Sequence, residues 1–253
     1  MLNIQNQGLP LCKINGGKYN NKIVYLDSDI KEDKKDDDLI QNYNNIKIPM
    51  DSTFQLLPRD DGEREILYIT GASGSGKSFF TKQYCKEYKK LYPDRPIYLF
   101  SLLKSDTSLD DIKPKRVKLD IDLYDNPIPI EEFSESLVIF DDIDVISDKK
   151  IREAVYNILN NILEIGRHNK ISCINTNHLA TNGKDTKRIL NESFYIVYFP
   201  HGSAHGIKYL LNNYLGIGKK DIEKAKASKS RWCVVRKNYP QIMITEHNIW
   251  IVD

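Results

Sequence analysis

The run Ile66-Leu67-Tyr68-Ile69-Thr70 leads straight into Gly71-Ala72-Ser73-Gly74-Ser75-Gly76-Lys77-Ser78, and that octet constrains this chain more than any other segment. It has the form G-x-x-x-x-G-K-[ST], a phosphate-binding loop or P-loop. Gly71, Gly74 and Gly76 let the backbone turn sharply and aim its N–H groups inward as an anion-binding nest. Phe79 to Lys86 alternate apolar and polar residues at helical spacing. A helix N-terminus therefore adds its positive end at the same point. In that setting Lys77 can reach the β- and γ-phosphates of a nucleoside triphosphate, and the Ser78 hydroxyl can ligate Mg²⁺. The strand before and the helix after separate the octet from a chance Gly/Ser-rich loop. The prediction is a triphosphate site built from residues 71–78.

Composition excludes more than it selects. With 253 residues and 40% hydrophobic content, the chain can bury one large α/β core with small additions. No apolar run approaches the roughly 18 residues that a membrane span needs. The N-terminus, Met1 to Gly8, has no charged start followed by an apolar block, so no secretory signal is expected. Cys12, Cys85, Cys173 and Cys233 are scattered without a CxxC pair, which favours neither zinc nor disulfides. Reduced thiols fit a cytoplasmic or nuclear protein. A net charge of +2 does not by itself announce nucleic acid.

Three segments follow from the pattern. Residues 1–61 read as a β-containing extension, with short strands at Leu11–Ile14 and Lys22–Leu26 around the Gly16-Gly17 turn. Within it, Asp27–Asp38 is a dense run of mixed charge that reads as a solvated loop. Residues 62–203 form the P-loop core. Its predicted strands are Ile66–Thr70, Ile97–Leu103, Val117–Leu119, Leu137–Asp141, Ile171–Thr176 and Phe194–Phe199. Its helices are Ser78–Leu91 and Lys149–Gly166, the latter with Ile151, Val155, Ile158, Leu159, Ile162 and Leu163 as a core stripe. Strands that alternate with helices and are apolar throughout indicate a mostly parallel sheet covered by helices on both faces. Residues 204–253 add short helices and a small antiparallel β appendage at Arg231–Arg236, Gln241–Thr245 and Ile249–Val252.

The chemistry then concentrates at strand ends. Leu137–Asp141 followed by Asp142 reads as a Walker B strand, and parallel strands deliver their C-terminal ends to the ligand crevice. Asp141 would hold Mg²⁺ opposite Ser78. Asp142 would orient and polarise the attacking water, a task a hydrolase has and a kinase lacks. Asp144 is a weaker alternative for that task and reads as a surface or capping acid. Gly166 can end its helix in a left-handed conformation. Arg167 either complements the helix C-terminus or reaches across a subunit interface as an arginine finger, and His168 reads as packing. Asn177 ends the next strand, either touching the γ-phosphate and lytic water through its amide or capping the turn.

Taken together, GASGSGKS, then LVIFDD, then a helix ending in GRHNKIS and a strand ending in a polar amide resemble the FtsK–HerA group of DNA-pumping ATPases. More narrowly, the order is similar to that in the genome-packaging ATPases of poxviruses, giant viruses and virophages. The resemblance covers about residues 62–200, and Leu215-Gly216-Ile217 with Ser230-Arg231-Trp232 more loosely; the first sixty residues have no counterpart. It implies a RecA-like (ASCE) α/β fold with a strand inserted between the P-loop and Walker B strands. It also implies hydrolysis of ATP with Mg²⁺ by a pentameric or hexameric ring that translocates double-stranded DNA into a capsid. A capsid or portal partner, a host-cytoplasmic or virion-associated location and no membrane go with that role. Lys77, Ser78, Asp141, Asp142 and Arg167 match the family's motif positions. The family usually ends its sensor strand in Gln, where Asn177 carries the same amide on a shorter stem.

Lys219, Lys220, Lys224, Lys226, Lys229 and Arg231 form a basic cluster suited to DNA phosphates, although Asp221 and Glu223 interrupt it as they would a solvated helix face. Two other functions stay open. A small-molecule kinase or other P-loop NTPase is one, but no Arg-rich lid follows the Walker B strand. A regulatory module that binds nucleotide without turnover is the other, and Asp142 argues against it.

Overall fold

The structure, a computed structural model, describes residues 1–27, 40–42, 44–202 and 206–252. The mixed-charge run expected as a solvated loop lies, from residue 28 onward, outside the described residues. The N-terminal part contributes β1 (Leu2–Asn3), β2 (Leu9–Asn15), β3 (Ile23–Leu26), β4 (Ile40–Asn42), β5 (Asn45–Lys47) and β6 (Thr53–Leu56). The P-loop core follows as β7 (Ile66–Thr70), α1 (Lys77–Leu91), β8 (Ile97–Ser101), β9 (Lys115–Val117), α2 (Asp122–Asp125) and β10 (Leu137–Asp141). It continues through α3 (Lys149–Ile165), β11 (Ser172–Asn177), α4 (Gly183–Glu192) and β12 (Tyr195–Tyr198). The chain ends in α5 (Ile207–Tyr209), α6 (Lys219–Ala227), β13 (Cys233–Arg236), β14 (Ile242–Thr245) and β15 (Asn248–Ile251).

An eleven-stranded sheet runs β4-β5-β15-β14-β13-β12-β7-β11-β10-β8-β9. From β12 to β9 all neighbours are parallel. Strands β7, β10, β11 and β12 are buried along their whole length, as a sheet covered on both faces requires. The strand that separates the P-loop strand from the Walker B strand is β11, so the RecA-like P-loop class predicted from the motifs is the class observed.

Side chains of one strand alternate between faces, and two cores result. Leu67, Ile69, Leu99, Ile139 and Ile174 pack with Phe80, Tyr84 and Tyr88 of α1. Tyr68, Phe100, Val138, Phe140 and Cys173 pack with Val155, Ile158, Leu159 and Ile162 of α3, the predicted stripe. The first core has a second cover that no helix provides. Strands β1-β3-β2-β6 form a separate antiparallel sheet whose Leu11, Ile14 and Phe54 enter the same cluster as α1.

The C-terminal strands continue the main sheet. β13 pairs antiparallel with β12 (Val197 opposite Val234), β14 and β15 follow, and β5 adds on through Ile46 opposite Ile249. Period-2 alternation identifies a strand but carries no information about its partner. Among the described residues no helix is long and apolar enough to cross a membrane.

Helix α3 ends differently from the expectation. Gly166 is right-handed at φ −61°, and Lys170 takes the positive φ instead. Glycine is required at 166 by space, since a Cβ there would lie 2.4 Å from the Ile162 carbonyl oxygen. The last carbonyls of α3 are capped by buried Arg64, whose Nη1 donates to Ile162 O at 2.7 Å and Nη2 to Leu163 O at 3.0 Å.

Candidate active site

The parallel register sets one row of polar side chains at the C-terminal edge of the sheet. Asp141 of β10 stands opposite Ser101 on β8 and Thr176 on β11, while Asn177 stands opposite Thr70 at the end of β7. The P-loop leaves that edge from Thr70. Gly71 donates its N–H to the Asn177 carbonyl at 3.1 Å, which ties the loop to the neighbouring strand. A Cβ at 71 would come within 2.6 Å of both Phe199 and Ser75 Oγ, so the close approach admits only glycine. Gly76 has φ +110° and starts α1, a conformation that side chains with a Cβ avoid.

Lys77 is buried at the first turn of α1. Its Nζ donates to the Gly71 carbonyl at 3.0 Å and lies 3.4 Å from Asp142 Oδ1. The two Walker acids are divided by their surroundings. Asp141 is buried and accepts from Ser101 Oγ at 3.1 Å and Thr176 Oγ1 at 3.0 Å. Burial, and then the neighbouring charge of Asp142, push its pKa up against those two hydrogen bonds. Asp142 is half-buried in the left-handed region, φ 47°. Its N–H donates to Thr176 Oγ1 at 2.9 Å, and its Oδ1 lies 3.1 Å from the same hydroxyl. With one proton to give, Thr176 serves one of the two carboxylates at a time.

Two residues beyond the predicted set complete this cluster. His178, just past β11, places Nε2 3.4 Å from Asp142 Oδ2 and Nδ1 3.6 Å from Asp144 Oδ1. Asp144 is a cap, as expected, but a buried one: its side chain is 6% exposed and its Oδ2 accepts the His178 N–H at 3.1 Å. The ligand atoms of Asp142, Asp144 and His178 all lie within 4.8 Å of one another. Asp144 therefore fixes His178, and His178 flanks the oxygen of Asp142 that faces away from Lys77.

A Mg²⁺-triphosphate suits these groups. Ser75 Oγ is buried within the loop without a hydrogen-bond partner. The Lys77 ammonium is buried beside one carbonyl and one carboxylate. Asp141 is a carboxylate whose burial disfavours its charge, a cost that a cation removes. Ser78, one residue into α1, is the residue that would supply the second oxygen to such a cation.

No model of a known protein family matches the chain. The uncharacterized protein V3 of Sputnik virophage is 38% identical over 248 residues, covering 97% of this chain and 96% of that protein. The chain belongs to the family of this virophage protein. Solved structures agree on the fold. B204, the DNA-packaging ATPase from Sulfolobus turreted icosahedral virus, superposes with a TM-score of 0.50 at 17% identity, covering 74% of this chain and 98% of that one. The pCW3 conjugation coupling protein TcpA gives 0.50 at 11% identity, covering 95% of this chain and 77% of that chain. The cytoplasmic domain of the Thermomonospora curvata type VII secretion ATPase EccC gives 0.54 at 12%, covering 80% of this chain and 28% of that chain. These structures share the RecA-like P-loop ATPase fold that the resemblance read from the motif order implies.

The remaining predicted residues of this virophage V3 relative fall in different places. Asn177 is buried at the end of β11, with Nδ2 3.3 Å from Tyr68 Oη. It meets the P-loop through its main-chain carbonyl. Arg167 lies at the opposite edge of the sheet, before β11 begins, roughly 20 Å from the P-loop by strand length. Its side chain is 75% exposed, 4.0 Å from Glu63. The carbonyls of Ile162 and Leu163 at the C-terminal end of α3 accept from Arg64. The basic cluster at α6 is partly engaged: Lys224 lies 4.3 Å over the Trp250 ring, Arg231 pairs with Glu246 at 3.1 Å and Lys219 with Glu223 at 3.7 Å.

Proposed function

We propose that this chain is an ATP-hydrolysing motor that translocates double-stranded DNA into a viral capsid, working as a pentameric or hexameric ring at a host-cytoplasmic assembly site with a capsid or portal partner. The observation that carries the reading is Asp142: a second carboxylate, beside the P-loop lysine on one oxygen and beside His178 on the other. A site that only holds nucleotide has no task for it, and one that transfers phosphate to another molecule has no water to activate. The DNA-packaging role of B204 and the order of motifs support the DNA-translocating form of that chemistry.

Bound Mg²⁺-ATP supplies the phosphoryl group and the charge to be neutralised. The residues 71–76 hold the phosphates through backbone N–H groups at the start of α1, and Lys77 neutralises them from a buried position. Ser78 and Asp141 would hold the cation, which would neutralise phosphate charge. Asp142 orients a water and accepts its proton on a carboxylate oxygen, while Thr176 and His178 keep that carboxylate from rotating away. Asn177 couples β11 to the loop through its carbonyl, and His178 is the polar group at the strand end that faces the acid. Arg167 acts in trans. A head-to-tail ring sets the edge opposite the P-loop against the next subunit's P-loop, and Arg167 is exposed on that edge.

The test is ATP hydrolysis with and without long duplex DNA, for wild type, Lys77→Ala and Asp142→Asn. Turnover should rise with DNA and be abolished by Lys77→Ala. Asp142→Asn should lose roughly 10²–10⁴-fold in turnover while still binding ATP. Phosphate transfer to a nucleoside, or turnover indifferent to DNA in an assembled ring, would refute the reading.

A further inference from the structure

Helices α3 and α4 bury one stripe each against the sheet and leave a groove of about 410 Å³ between their outer faces. On α3 the lining residues Lys149, Arg152, Glu153 and Tyr156 recur at intervals of three and four, one face of a 3.6-residue helix. On α4, Lys184 and Arg188 recur at four. Four cations thus meet in one groove, and among its described lining side chains Glu153 is the one acid. Arg188 also pairs with Glu164 at 2.8 Å, and Arg152 stacks 4.8 Å over the Tyr156 ring.

The groove adjoins the catalytic edge. Arg152 Nη1 donates to the Asp144 carbonyl at 3.0 Å, Asp144 caps His178, and His178 flanks Asp142. A ligand that draws on Arg152 therefore acts three contacts from the acid. None of the α6 cations lines this groove, and Lys224 and Arg231 turn to Trp250 and Glu246.

We infer that the α3–α4 groove, and not the α6 cluster, holds the sugar-phosphate backbone of duplex DNA. This rests on the motor reading above. The lining residues from Lys149 to Asn160 span about 17 Å along α3 at the helical rise. That length runs beside about five phosphates of one strand. Contacts are to phosphates alone: no base-reading side chain is required, as suits a motor indifferent to sequence.

The experiment measures duplex affinity of the full chain across a salt series, for wild type, for Lys149→Gln with Lys184→Gln, and for Lys219→Gln with Lys220→Gln. Each phosphate contact contributes about 0.9 to the slope of log affinity against log salt. The groove double variant should flatten the slope by nearly 2 and weaken binding, with its thermal melt and its DNA-free ATP turnover unchanged. The α6 variant should match wild type. If the groove variant keeps the wild-type slope, or the α6 variant is the one that loses it, the groove assignment is wrong while the motor reading stands. If wild type binds no duplex at all, or single-stranded RNA outcompetes duplex DNA, both fail together.

Discussion

Replacing Glu65 by Gln should remove a pH dependence of stability that the fold itself creates. Glu65 precedes the P-loop strand and is buried at 2% exposure. Its Oε2 accepts from Tyr84 Oη of α1 at 2.7 Å and from the Arg59 N–H at 3.0 Å, so it pins the P-loop helix to the start of the P-loop strand. Burial pushes its pKa up from 4.5 to about 7, with the Tyr84 and Arg59 hydrogen bonds opposing. Between those two values the folded chain holds a proton that the unfolded chain has released. The resulting stability is fully present below pH 4.5 and is lost as pH rises through 7. At about 1.4 kcal/mol per unit of pKa, the whole effect is about 3 kcal/mol. Glutamine keeps an acceptor for both donors and cannot ionise. Wild type and Glu65→Gln should therefore be about equally stable near pH 4.5, and the variant should be more stable by up to about 3 kcal/mol at pH 8. Urea midpoints from pH 4.5 to 8 measure this, because the other titrating groups are common to both chains and cancel in the difference. Parallel curves for the two proteins would refute the assignment of a buried, proton-holding Glu65.

Two further outcomes test the site. Thr176→Val removes the hydroxyl shared by Asp141 and Asp142 while preserving shape. A hydrogen bond to a charged group is worth roughly 1.5–3 kcal/mol, so turnover should fall about tenfold to a hundredfold with ATP affinity little changed, and Thr176→Ser should restore it; turnover within twofold of wild type would count against the role. Arg167→Ala should leave the melting temperature unchanged, since the side chain is exposed. Mixed with Lys77→Ala subunits it should recover activity that neither variant has alone, and mixed rings that stay inert would exclude action in trans.

Much of the fold and half of the candidate site are legible in the sequence. The octet at 71–78 and the apolar strand ending in Asp141-Asp142 are local signals, because each position answers to a neighbour a few residues away. His178 and Ser101 carry no such signal, and Asp144 reads only as a surface or capping acid, with no sign of its contact to His178. His178 follows a strand with no motif spacing to mark it, and its partners are 34 and 36 residues upstream. Ser101 matters only because β8 and β10 pair in a register that sets it beside Asp141. Gly166 was readable as a helix end but for the wrong cause, since close packing on Ile162 O, not a left-handed turn, demands it. The cap that Arg64 places on α3 comes from about a hundred residues away in the chain, beyond any local pattern.

By itself the sequence determined a P-loop, a doubled acid at a buried strand end, and an α/β class with an intervening strand. Those follow from backbone preference and from periodicities of two and 3.6, which act over a few residues. Tertiary structure alone decided which strand lies between β7 and β10, that β4 and β5 join the last three strands of the chain in extending the main sheet, and which side chains surround Asp142. Strand pairing and side-chain convergence are set by burial summed over distant segments, and no local window of sequence contains that sum.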